Sequence, residues 1–290
     1  MKQYDFILIF EARLCNPNGD MDADNEPRTL SNGCGLVSDV CLKHKIRNEM
    51  AHRSGQRLFL TEDTSDGFVC LNDRCNSVYP NFKTDFKANP LEAQRKLIAA
   101  MNETFPDARA FGFLIPYKEV QLKQKACVSI GMPVSIDPIM TSTLTITKCM
   151  GQTVGSGKKK TDDGTESHSS PSSDTVGNRK YLEYGLYVVY GAIDNIQAKK
   201  NNLREADIKL LSQVLPNVFD HDASSSRPAG SMLVRHVFWC EQEGHNISAA
   251  KILDALHVER KKNCVTPRKH TDYDIHMDNI PGLTVTDLVD

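Results

Sequence analysis

An α+β fold is what this 290-residue sequence predicts, on three observations. Residues 4–14 form a nearly continuous apolar run, as a central strand does when both of its faces are covered. A second long strand pattern covers residues 181–193. Each is followed by helical periodicity, over residues 36–50 and again up to Pro216, where Leu203, Ala206, Leu210, Leu211, Val214 and Leu215 recur with period 3.6.

The remaining elements fall into place around these. In the first helix Leu42, Ile46 and Met50 make one apolar stripe and Val37, Val40 and Cys41 a second, with Lys43 and Arg47 aligned between them at a spacing of four. Such a helix packs on two sides and shows its basic residues through a slot. Strands are expected over residues 127–136, over the threonine-alternating stretch 142–148, and over 232–240, and Ser248 caps a short helix running to about residue 258. Without its insertions the order is strand, helix, strand, strand, helix, strand, the ferredoxin-like βαββαβ pattern shared by RNA-recognition folds.

Two insertions interrupt that core. Residues 51–125 contain an expected helix over 91–104 and their own aromatics, enough for a small subdomain. Residues 151–178 hold almost nothing apolar to bury, yet their flanks are strand-like, which predicts a projecting hairpin with a mobile tip.

With 40% hydrophobic residues the chain can bury a substantial core, and no apolar run approaches the ~20 residues of a membrane span. The first ten residues lack a cleavable leader pattern, so a cytoplasmic protein with no membrane partner is expected. Nine cysteines, an odd number with no C-x-x-C pair, read as reduced and mostly buried thiols. The net charge of −2 argues mildly against nucleic acid, but its distribution matters more: Lys and Arg cluster at 43–47, 158–160, 260–262 and 268–269.

The most informative stretch is the loop N-P-N-G-D-M-D-A-D-N-E-P-R-T-L at 16–30 and the basic helix after it. Asn16, Asn18 and Gly19 tolerate left-handed backbone, Arg28 offers a planar fork of donors, and Lys43, Lys45 and Arg47 add fixed positive charge. That combination suits a polyanionic backbone. Ordinary catalytic constellations are poorly supported: there is no Walker A loop, G-x-S-x-G, H-E-x-x-H or dinucleotide fingerprint. Asp20, Asp22 and Asp24 begin as a calcium loop does, but Asn25 and Ser31 stand where glycine and a bidentate glutamate are required. No cofactor or metal is expected, and His44 reads as a packing residue. The first strand lacks the aromatic motif of a standard RNA-recognition domain, so base stacking on the sheet is not the expected mode.

N-P-N-G-D at 16–20, P-R-T at 27–29 and G-L-V-S-D-V-C-L-K-x-K-I-R-N at 35–48 together resemble the backbone subunit of the type I-C Cascade complex, the Cas-seven family of the RAMP superfamily. D-A-R-A-F-G at 107–112, S-I-D-P-I at 135–139, T-I-T-K at 145–148, G-N-R-K-Y-L-E-Y-G-L-Y at 177–187 and F-D-H-D-A-S-S-S-R at 219–227 follow in family order, so the resemblance covers nearly the whole chain. It implies a ferredoxin-like, RRM-like palm formed by residues 1–50, 126–148 and 181–290, a fingers-like insertion at 51–125 and a thumb-like hairpin at 149–180. Copies would polymerise along a CRISPR RNA, holding its phosphates and leaving its bases to pair with target DNA, beside the 5′-handle-binding subunit and the large subunit.

By the same resemblance Arg28, Thr29, Ser38, Lys43, Lys45 and Arg47 hold phosphates, and Asn16, Asn18 and Gly19 shape the loop. Lys148 and Met150 match the base of the family thumb, where Met150 acts as an apolar wedge or is an ordinary strand-end methionine. Arg109 and Phe111 either touch RNA or pin the fingers to the palm. The chain departs from the family at 125–129, where a glycine that admits the guide is missing, so contacts from that strand are not carried over. Two other classes stand beside this non-catalytic reading: a type III-like subunit cutting RNA with a metal and a loop aspartate, and a monomeric RNA-binding module.

Overall fold

The computed structural model describes residues 2–62, 65–68, 70–116, 121–147, 176–244 and 246–289. Strand β1 (Gln3–Cys15) runs into a loop holding a small ribbon, β2 (Gly19–Asp20) against β3 (Glu26–Pro27), then β4 (Cys34–Leu36) and helix α1 (Asp39–Ser54). Helices α2 (Leu71–Val78), α3 (Phe82–Ala88), α4 (Pro90–Thr104) and α5 (Pro106–Phe111) follow, with paired strands β5 (Phe113–Pro116) and β6 (Gln121–Gln124). Next come β7 (Val128–Ile130), β8 (Val134–Pro138), β9 (Thr141–Thr147), the long β10 (Val176–Ile193), α6 (Asn195–Lys200) and α7 (Glu205–Val214). The chain closes with β11 (Met232–Gln242), α8 (Ala249–Asp254), a ribbon of β12 (Leu256–Arg260) with β13 (Tyr273–Met277), and β14 (Leu283–Asp287).

The result is a mixed α/β protein around one antiparallel sheet of order β14-β11-β1-β10-β8-β4, with β7 and β9 also paired to β10. β1 lies at the centre, aligned with β10 from Tyr4↔Ile193 to Cys15↔Leu182 and with β11 on its other side. Its unbroken apolar run has a direct cause. Phe6, Leu8, Phe10 and Ala12 face a core shared with Leu42, Ile46 and Met50 of α1 and Ile208, Leu211 and Val214 of α7. Ile7 and Ile9 face a second core with Leu186, Phe238, Ile252 and Tyr273. Each such fully buried side chain contributes ~1.5–3 kcal/mol, so both faces hold the strand in register.

The 51–125 insertion has its own apolar centre of Phe59, Phe82, Leu97, Met101, Phe105, Phe113 and Ile115. The expected helix over 91–104 is α4, which starts where Asn89 accepts the Glu92 N–H and Pro90 fills the first helical position.

Three expectations change. The strand foreseen over 127–136 is split into β7 and β8: the Gly131 N–H still donates to the Tyr190 carbonyl of β10 at 3.0 Å, but Met132 and Pro133 are not paired with β10, and the Pro133 carbonyl accepts the Val37 N–H at 2.9 Å. The helix capped by Ser248 ends at Asp254, and Leu256 and Val258 then alternate as a strand over the second core. In α1 the two apolar stripes are not separate: Val37 and Cys41 pack on the same core as Leu42, Ile46 and Met50, and Val40 departs from the expectation at 68% exposed. Of the thumb-like hairpin expected at 149–180, residues 149–175 lie outside the described residues; β9 and β10 on either side pair from Thr147↔Val176 inward.

Gly112 joins α5 to β5 with φ +64° and ψ −172°, a conformation open to glycine alone. A Cβ there would stand 2.3 Å from the Gln124 carbonyl oxygen and 2.8 Å from the Ala126 nitrogen, backbone atoms with no rotamer to move to. Gly112→Ala should therefore cost ~2–5 kcal/mol, as backbone strain and overpacking add. Urea unfolding reads this, and a loss below ~0.5 kcal/mol would show that the α5–β5 corner relaxes freely.

Candidate nucleic-acid interface

The loop between β1 and α1 is built by its asparagines. Leu14 takes φ 49° as β1 ends, and Asn16 then turns inward, its Nδ2 donating to the Asn25 carbonyl at 2.7 Å. Gly19 sits beneath Asn25, where a Cβ would lie 1.9 Å from Asn25 Oδ1. Asn18 ties the loop to the helix: its Oδ1 accepts the Ser38 N–H at 2.9 Å while its carbonyl accepts the Arg28 N–H at 3.1 Å. Ser38 caps α1, its Oγ accepting the Cys41 N–H. Thr29 is exposed and bridges Gly35 across a tight turn. Asn16, Asn18 and Gly19 thus shape the loop by hydrogen bonding and close packing, and they set the helix N-terminus against it.

A second loop docks below. The carbonyl of Ser226 accepts the Asn16 N–H at 2.9 Å, that of Ser231 accepts the Arg13 N–H at 2.8 Å, and Phe219 packs on Phe10 at 5.0 Å between ring centroids. Asp222 in this loop receives both Lys45 Nζ and Arg227 Nε, the latter at 2.8 Å. The Cys41 thiol marks where these charges gather. Burial raises it above its ordinary value, while Lys45, Arg227 and Arg28 pull it back.

The basic residues do not share one face. At 100° per residue, Cys41 and Lys45 lie on one flank of α1, toward Asp222, and Lys43 and Arg47 lie on the other. Exposure separates them further. The Lys45 side chain is 2% exposed and the Arg47 side chain 11%, so of the expected slot displaying Lys43 and Arg47 only Lys43 is accessible, and Lys45 is buried as well. Arg47 donates to Asp107 at 3.3 Å and lies 5.0 Å over the ring of Phe111. Burial works against both charges, lowering the Arg47 guanidinium and raising the Asp107 carboxyl. The pair holds because Asp107 also accepts the Phe59 and Leu60 N–H groups at 2.8 and 3.0 Å.

Arg109 is deeper still. Its Nε and Nη2 each meet an Asp207 carboxylate oxygen at 2.7 Å, and Nη1 reaches the Asn102 carbonyl at 2.6 Å. Of the two readings left open for Arg109 and Phe111, this geometry matches the pin between the insertion and the sheet domain. Lys148 and Met150 lie outside the described residues.

What remains accessible is a smaller set, each member held by a carboxylate. Arg28 stands 3.3 Å from Asp20, Lys43 2.8 Å from Asp39, and Arg227 next to Asp222, with side chains 34%, 22% and 27% exposed. Lys43 keeps the Asp39 carboxyl below its ordinary value. Two other loop acids are engaged too, since Lys180 meets Glu26 at 2.8 Å and Asp24 at 3.4 Å. Sequence reasoning missed Arg227 and its partner Asp222, although the F-D-H-D-A-S-S-S-R block carried both. Among the described residues, no helix is long and apolar enough to cross a membrane.

Residues 2–278 match the family model described as CRISPR-associated protein Cas7. The chain belongs to the Cas7 family. It is 21% identical over 246 residues to the CRISPR-associated protein Cas7 of Haloferax volcanii, a match covering 79% of this chain and 68% of that one. A subunit of a CRISPR RNA-guided surveillance complex in a pre-nicking state is similar in fold, with TM-score 0.51, 12% identity, and 86% and 80% of the two chains covered. A chain of another CRISPR RNA-guided surveillance complex aligns at TM-score 0.43 and 15% identity, over 85% and 72%. In this Cas7-family chain the resembling blocks include the asparagine loop, the capped helix, the Asp107–Arg109 segment and the Asp222 loop.

Proposed function

We propose that this chain is a non-catalytic, CRISPR RNA-binding backbone subunit of a type I-C-like surveillance complex, working in the cytoplasm beside a 5′-handle-binding subunit and a large subunit. Copies line up along the guide and hold its phosphates, and the exposed bases pair with target DNA in antiviral defence. One observation carries this: the asparagine loop, the Ser38-capped helix end and the Asp222 loop set Arg28 and Arg227 around a single junction. Lys43 lies on the other flank of α1, held by Asp39 in the first helical turn. Cations so placed suit a polyanion whose sequence is not read.

The strand order β11-β1-β10-β8 with α1 and α7 on one face supports a ferredoxin-like palm. The separate core of the 51–125 insertion supports its role as fingers, and the paired flanks of 148–175 support a thumb. Of the three candidate loop aspartates, Asp20 and Asp24 are each engaged by a cation, which supports binding over metal-dependent cleavage.

Purification from the host should yield short RNA of one repeat-derived class with the protein, and electron microscopy should show elongated multi-copy assemblies. Complementary RNA added with magnesium should stay intact. Protein free of RNA that also fails to bind an added repeat-derived transcript overturns the reading; cleaved RNA overturns its non-catalytic part.

A further inference from the structure

On the far side of the sheet, away from the proposed RNA surface, the β12–β13 ribbon alternates strictly. Tyr273, Leu256, Val258, Ile275 and Met277 face the second core. The opposite positions, His257↔His276 and Glu259↔Asp274, are cross-strand pairs on the outer face. Both outer pairs oppose like groups: two carboxylates in one, and in the other two imidazoles that repel each other once protonated. Asp278, placed by its N–H donating to the Ala255 carbonyl at 2.9 Å, closes the imidazole end of this face.

We infer that His257, His276 and Asp278 form a site for a borderline divalent transition ion of the Zn²⁺ class. The imidazole rings stack at 4.7 Å between centroids and 14° between planes. Asp278 lies 3.0 Å from His257 Nε2 and 4.0 Å from His276 Nε2, and one ligand atom from each residue lies within 4.8 Å of the others. Bonds of about 2.0–2.2 Å to one ion bring such atoms to about 3.3–3.5 Å apart. Small rotations close that difference, because the side chains are 37%, 62% and 61% exposed and unconfined.

Two imidazoles with one carboxylate favour Zn²⁺, Co²⁺ or Ni²⁺ over Mg²⁺ or Ca²⁺, which take oxygen ligands. The carboxylate of Glu259, two positions along the same face, adds negative potential that attracts the ion, while its partner Asp274 meets Lys261 at 3.5 Å. A bound ion links both strands of a ribbon that would be marginal alone, clamping it over the second core, and its remaining positions take water.

Calorimetric titration of the full-length protein with Zn²⁺, under a non-chelating reductant, tests this without reference to RNA. One site per chain is expected, at least about tenfold weaker in either His257→Ala or His276→Ala, lost in the double variant, and indifferent to millimolar Mg²⁺. Co²⁺ at that site should give visible d–d bands with no thiolate charge-transfer band in the near ultraviolet. His276 and Asp278 are exposed and His257 is partly so, all outside the cores, so the variants should fold, as circular dichroism will show. Zn²⁺ isotherms identical in wild type and double variant overturn the assignment, as does absence of binding or a thiolate band that places the ion on cysteines.

Discussion

Replacing Arg109 with alanine should lower the free energy of unfolding by ~3–5 kcal/mol, because it strands a buried carboxylate. Asp207 is almost wholly buried and faces the guanidinium in a two-point pair with both contacts at 2.7 Å. Its other neighbour, the Arg204 N–H at 2.9 Å, cannot neutralise the charge left behind. The same guanidinium satisfies the carbonyls of Asn102 and Glu103 at the end of α4, so its loss also leaves helix-terminal acceptors without a donor. Chemical denaturation measures the loss, and RNA binding by the folded fraction should keep the wild-type salt dependence. A stability change below ~1 kcal/mol together with a flatter salt slope would move Arg109 from the interior to the binding surface.

This pair also shows where sequence reading stops. The central strand was legible because a run apolar at both odd and even positions has few physical meanings, and α4 was legible because Asn89 and Pro90 announce its start. Ser248 marked the start of α8 equally well, yet its end was not visible, since Leu256 and Val258 fit helix and strand alike. The ion pairs were invisible for a different reason. Lys45 and Asp222 are 177 positions apart, and Arg109 and Asp207 are 98 apart. Nothing in local periodicity tells a lysine that points to solvent from one that points to a distant aspartate. The loop was read well at its asparagines, whose backbone role is local, and less well at its cations, whose exposure is a tertiary property.

The accessible cations differ from a simple basic patch. Each of Arg28, Lys43 and Arg227 rests on a carboxylate, so the surface is nearly neutral before a ligand arrives, in keeping with a chain of net charge −2. Pairing holds each side chain in place and reduces the ordering needed on binding. It also means that a phosphate gains only the difference between itself and the carboxylate it replaces. Binding by one chain is then modest per contact, and affinity comes from repetition along the polymer.

Joint replacement of Arg28, Lys43 and Arg227 by alanine should therefore have a small effect on the fold and a large one on RNA. The three side chains are partly exposed, Asp20 and Asp39 can return to water, and Asp222 keeps Lys45 as its partner, so stability should fall by less than ~1 kcal/mol each. At about 1 kcal/mol per lost phosphate contact, one chain should bind single-stranded RNA roughly 100-fold more weakly. The slope of log affinity against log salt should become shallower by about 2, from three contacts at about 0.7 each. In a multi-copy assembly the losses multiply with every chain added, so the variant should fail to form long complexes even where single-chain binding survives. Fluorescence anisotropy across a salt series reads the first effect and mass photometry the second. A variant that keeps the wild-type slope would place the phosphates elsewhere. The alternative to test would then be the cavity of about 350 Å³ at the other side of the β1 end, where Arg13, Arg260 and Arg268 line the wall.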